Sequence, residues 1–288
     1  MSMRRCAMTC LALLVLVPVL VPAQSKPVPN SAAAAARPAK DTKLDLVINF
    51  DFSGLALHSG DAAKDEALKK RCETFAKLIR EQVYPLLREI TGLSLGKYYK
   101  EIRIQIVPNG GMNVKGAGGI ASRNQIRLEQ RYSVDRTPHP FDSHELIHVF
   151  NGCCGALRGF GDHTWHAALM NVVQVRMGWG TAFRRGDSVE NLTRLCEKIE
   201  ESPDGPKAFE YRSAILGEEL NIAYYDLGED AVSRLYRSNM KPRLVEKPSR
   251  GMTAVWGRSA DQVLALVTDL ERDYKFTLDE RTRKALGL

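Results

Sequence analysis

Hydrophobic positions along the chain alternate first and turn helical afterwards. Leu44, Leu46, Ile48, Phe50 and Phe52 are separated by Asp45, Val47, Asn49 and Asp51, and this period of two predicts a strand with one buried face. Leu68, Cys72, Phe75, Ile79, Val83, Leu86 and Ile90 then recur at steps of three and four. They predict a long amphipathic helix, kinked at Pro85 and ended near Gly92. Ile102, Ile104 and Ile106 restore the alternation and give a second strand. After a glycine-rich passage from Gly110 to Gly119, Ile120-Ala121-Ser122 and Ile126-Arg127-Leu128 flank the turn-like Arg123-Asn124, the pattern of a hairpin or a pair of short strands. Beyond Phe141 the periodicity is helical, in segments at 141–150, 162–177, 187–199, 208–227, 229–238, about 259–274 and 279–286. Asn151-Gly152 reads as the close of the first of these, and Gly155 to Gly161 as a loop before the second. No internal repeat is visible. The expected fold class is α+β: a small mixed sheet packed on a long helix, then a mainly helical C-terminal half.

The ends of the chain narrow the folded part. Arg4 and Arg5 precede an apolar run from Leu11 to Val21, and Val21-Pro22-Ala23 offers small residues at a cleavage site. That is the pattern of a secretory signal peptide over residues 1–23, with Pro18 and Pro22 interrupting a run already short for a membrane span. Residues 24–43, rich in Pro, Ala, Ser and Lys, have nothing to bury and read as a flexible linker. One domain over 44–288 remains, with a division expected near 151/152. The expectation is an exported protein, secreted or periplasmic, with no membrane attachment after cleavage.

Charge excludes little. The formal net charge is +7, but lysines and arginines are scattered, and no aromatic-basic stripe or nucleic-acid motif accompanies them. Cysteine use fits export. Cys72, Cys153, Cys154 and Cys196 would remain after cleavage and could form two disulfides, in one of three connectivities. A bond between the neighbours Cys153 and Cys154 would be strained, so each is expected to pair with Cys72 or Cys196.

The chemistry is concentrated in Phe141-Asp142-Ser143-His144-Glu145-Leu146-Ile147-His148-Val149-Phe150. Positions i and i+4 share a helix face, so His144 and His148 can direct their imidazoles at one point and supply half of a tetrahedral zinc site. Glu145 can reach a water at that metal and take its proton. The apolar Leu146, Ile147, Val149 and Phe150 fit a helix buried beneath such a site, and Asp142 is a candidate N-cap.

A strand, a long helix, further strands, a His-Glu-x-x-His helix and a helical second half are together similar to the zincin metallopeptidases. Within them the chain looks most like the gluzincin (thermolysin-like, peptidase MA) group. Tyr211 to Gly228 resembles the Tyr…Tyr-x-x-Gly helix found downstream of the zinc site in many of these peptidases, and Gly257-Arg-Ser-Ala-Asp-Gln-Val resembles a short closing helix. Gluzincins take a third ligand, Glu, from the helix after the motif. Here that helix reads Asp162-His163-Thr164-Trp165-His166, with His166 in the place of the Glu. Three neutral imidazoles would leave the full charge of the metal to activate water. Asp162 (a carboxylate that orients the His166 imidazole, a ligand, or an N-cap), His163, and Cys154, at the metzincin spacing, are the other candidates for this place. The resemblance further implies oxyanion stabilisation by Tyr211, whose alternative is packing on an amphipathic helix, and an edge strand at Gly118-Gly119-Ile120-Ala121 that pairs with an extended peptide.

The expected activity is that of a zinc-dependent peptidase acting on a peptide or protein substrate, with one catalytic Zn2+ on His144, His148 and His166 and with Glu145 as general base. Alternatives are a catalytically inactive zincin-like binding protein and a non-peptidase metal-dependent amidohydrolase.

Overall fold

The computed structural model describes residues 44–56, 59–112, 118–138, 141–153, 162–240 and 252–288. The expected signal peptide and linker, Cys154 and the loop from Gly155 to Gly161 lie outside them. The protein is α+β, with one small mixed sheet and mostly helical content.

Among the described residues four strands, β1 (Val47–Asp51), β2 (Glu101–Val107), β3 (Gly119–Ser122) and β4 (Gln125–Glu129), lie in the order β1-β2-β4-β3. β1 and β4 run parallel to β2, while β3 runs antiparallel to β4 and forms one edge. The alternation read from the sequence sets the faces: Ile48, Ile102, Ile104, Ile106, Ile126 and Leu128 are buried on the helix-facing side. The two-residue turn of the β3–β4 hairpin holds Arg123 at φ 54, in the left-handed region.

The crossover from β1 to β2 is the expected long helix, in two parts. α1 (Ala62–Leu78) is capped by Asp61, whose carboxylate accepts from the amides of Ala63 and Lys64. A π-turn over Ile79–Val83 follows, then α2 (Tyr84–Thr91), closed by Gly92 at φ 69. The distortion falls in the turn before Pro85 because the ring displaces the preceding carbonyls and brings no N–H to satisfy them.

α3 (Phe141–Cys153) carries the His-Glu-x-x-His motif and packs on β3, β4 and α2. α4 (Asp162–Arg176), α5 (Arg185–Glu201), α6 (Ala208–Leu227) and α7 (Glu229–Asn239) form the helical half, completed by α8 (Met252–Tyr274) and α9 (Glu280–Leu286). One cluster of buried apolar side chains, from Leu46 of the sheet half to Leu286 of α9, joins the two halves. Polar ties reinforce it: Arg176 of α4 donates to Glu89 and Glu229, 3.1 Å each, and Arg237 of α7 caps the carbonyls of Glu89 and Ile90 at the end of α2.

Four expectations need correction. The first concerns the close of α3 at Asn151-Gly152. The helix runs on to Cys153, because Asn151 is buried and accepts a hydrogen bond from Tyr236 Oη at 2.9 Å. Asp142 stands inside the first turn of α3, not at its cap. The segment from Gly257 is part of the long α8 rather than a short closing helix. Finally, Cys72, Cys153 and Cys196 are buried free thiols on α1, α3 and α5. Each faces its own surroundings: the Cys153 thiol bonds Tyr99 and the Cys196 thiol bonds Thr282, with burial pushing Cys153 up to about 11. They act as small core residues.

Candidate metal centre

The site stands where α3 and α4 pack together. Leu146, Ile147, Val149 and Phe150 fix α3 by burying its inner face, and Trp165, Ala168, Leu169, Val172 and Val173 do the same for α4. Polar contacts set the helices at depth. Thr164 Oγ1 donates to the Ser213 carbonyl of α6 at 3.1 Å. Tyr236, on α7, touches both helices at once: its hydroxyl reaches Asn151, and its ring meets Trp165 edge-on at 5.2 Å between centroids. Trp165 directly precedes His166, and Asn151 lies within a turn of His148.

Three imidazoles converge as a result. Each of His144, His148 and His166 offers a ring nitrogen, and these atoms all lie within 4.8 Å of one another. Nε2 of His144 and Nε2 of His148 are 3.3 Å apart, and His166 Nε2 lies 3.4 Å from the His144 carbonyl oxygen. The three ring centroids are separated by 4.1, 4.6 and 4.9 Å. Two nitrogens bound to one tetrahedral zinc at ~2.0–2.1 Å stand roughly 3.3–3.4 Å apart. The His144–His148 pair has that spacing as it stands. The donor set therefore fits a zinc ion, with three neutral nitrogens. His166 is 7% exposed, whereas His144 and His148 are only half-buried, so the cluster opens toward solvent on one side.

Glu145 is 4% exposed, and its Oε1 lies 3.7 Å from His144 Nε2. The carboxylate is pressed against the backbone of β3 at Gly119: a methyl there would stand 2.6 Å from Oε1. A buried carboxylate thus sits beside three histidines at the edge of a sheet.

The other sequence-level candidates separate. Tyr211 lies in the first turn of α6 with its ring under the Lys198 ammonium of α5, 5.2 Å from the centroid. Among the described residues no contact of Tyr211 reaches the histidines. The side chains of Asp162 and His163 lie outside the described residues, as does Cys154. Sequence reasoning missed Tyr236 and Asn151, which contact each other from distant parts of the chain, and the reason for Gly119. Two glycines opening a strand were the available signal, since glycine within a strand marks a close approach.

No family model matches the chain, and no curated protein or solved structure matches it.

Proposed function

We propose that this protein is a zinc-dependent peptidase of the zincin type, exported from the cell. The observation that carries the reading is the convergence of His144, His148 and His166 beside the buried Glu145. The surrounding fold supports it: the antiparallel edge strand β3 packs against the helix that bears the motif.

Zinc supplies Lewis acidity at such a site, polarising a scissile carbonyl and acidifying water. The chain's residues do the rest. His144 and His148, fixed one turn apart by the buried face of α3, and His166, fixed by Trp165 and Thr164 on α4, hold the ion. Glu145 accepts the proton of the attacking water on its carboxylate and returns it to the departing amine. Burial keeps that carboxylate in one place. The peptide lies along β3. Glu129 N–H already donates to the Gly118 carbonyl, so alternation along an antiparallel strand turns the N–H and C=O of Gly119 and Ala121 to the free edge, where an extended backbone can pair with them.

Casein hydrolysis by the zinc-loaded protein and by Glu145→Gln tests the reading. Loss of a positioned general base lowers kcat by about 100-fold or more, with the zinc retained. A parent protein that cleaves nothing, or a Glu145→Gln variant as active as the parent, would falsify it.

A further inference from the structure

The geometry points to Gly119 as the positioning residue for Glu145: its missing side chain is the space that the carboxylate fills. This rests on the functional reading above, since it concerns the base of that reaction.

Gly119 sits in a strand, where glycine is unfavourable because it packs nothing and loses much conformational freedom. Its backbone does not require glycine. Gly60, Gly110, Gly178 and Gly180 have positive φ and open space where a side chain would go, as turn glycines do, but Gly119 is not among the positive-φ residues. What excludes a side chain at Gly119 is proximity. It pairs in register with Leu128, whose side chain faces the core, so Gly119 faces α3. A Cβ built there lies 2.6 Å from Glu145 Oε1, 2.7 Å from Glu145 Cγ and 2.8 Å from Leu128 Cδ2. All three are closer than real Cβ atoms approach, so an alanine would move either the strand or the carboxylate. Glu145 has the flexible side chain and gives way first. Gly118 carries the same argument to the opposite face, where a Cβ would meet the Tyr132 ring at 2.6 Å. The glycine pair lets β3 be clamped from both sides as the end strand of the described sheet.

The test is a cycle of Gly119→Ala, Glu145→Ala and the double variant, followed by thermal unfolding, zinc content and peptide hydrolysis of the full chain. Overpacking of this kind should lower Tm by about 3–8 °C in Gly119→Ala, and by less in the Glu145→Ala background, where the two contacts with Glu145 are gone and only that with the Leu128 side chain remains. With Glu145 present, kcat should fall by about tenfold or more at unchanged KM and zinc content. If Gly119→Ala alone fails to fold, recovery of a folded double variant supports the cradle, and failure of both overturns it. Equal Tm losses in the two backgrounds, or parental kcat in Gly119→Ala, overturn the positioning role alone. A parent with no Glu145-dependent hydrolysis overturns the functional reading and this role together.

Discussion

Glu219 offers the sharpest thermodynamic prediction. It lies on α6 and is 4% exposed; burial pushes its carboxyl up to about 7 from an ordinary 4.5, while a hydrogen bond from Thr282 holds it back. Asp279 adds to the rise and Arg185 opposes it. Because the folded state binds this proton more tightly than the unfolded chain, the associated stability is fully present below pH 4.5 and is lost as pH rises through about 7. The two values differ by ~2.5 units, which at ~1.36 kcal/mol per unit is about 3 kcal/mol. Glu219→Gln keeps the shape and removes the charge. Near pH 4.5 it should therefore match the parent, and by about pH 8 it should be more stable by up to ~3 kcal/mol, or roughly 6–12 °C in Tm. Taking the difference between the two proteins cancels the titrating groups that do not interact with Glu219. Thermal unfolding by circular dichroism, across the range from acid to mildly alkaline buffer, measures it. A difference in Tm that stays flat with pH would mean that Glu219 is ionised in the folded protein, and the reasoning would fail.

Two other buried groups give independent tests. Tyr236→Phe keeps the ring against Trp165 but removes the hydroxyl given to Asn151, so it should lose about 1–2 kcal/mol and bind zinc several-fold more weakly by chelator competition; unchanged affinity would detach Tyr236 from the site. Asn171 is buried and donates to Phe183 O and Asn221 Oδ1, at 2.8 and 2.7 Å, while accepting from the amides of Ala182 and Phe183, at 2.8 and 3.0 Å. Asn171→Ala should release this segment and cost about 3 kcal/mol. Trypsin should then cut faster at Arg184 and Arg185, and a parental digestion rate would contradict the latch.

Much of this arrangement was legible in the sequence because it is periodic. The alternation of Leu44, Leu46, Ile48, Phe50 and Phe52 predicted β1, that of Ile102, Ile104 and Ile106 predicted β2, and the three-and-four spacing from Leu68 to Ile90 predicted α1 and α2. The imidazole pair at i and i+4 needs only a helix to converge, and His166 joins it because the helix that carries it was itself readable. What escaped depends on tertiary contact. Asn151 looks like a helix stop until Tyr236, far along the chain, takes its side-chain oxygen. Cysteine spacing cannot say that Cys72, Cys153 and Cys196 lie on three separate helices with different neighbours. Gly119 reads as one glycine among several until Glu145 is found against it. Tyr211 matched a pattern along its helix, but the pattern does not say which face turns to Lys198.

Elemental analysis of the purified protein would show whether three histidines hold a zinc ion. Parent, Glu145→Gln and His166→Ala would be measured side by side after reconstitution. About one zinc per chain is expected in the first two, and a lost or weakened metal in His166→Ala. A parent that takes up no zinc, or a His166→Ala variant that holds it as tightly as the parent, would mean that the three histidines do not form a zinc site.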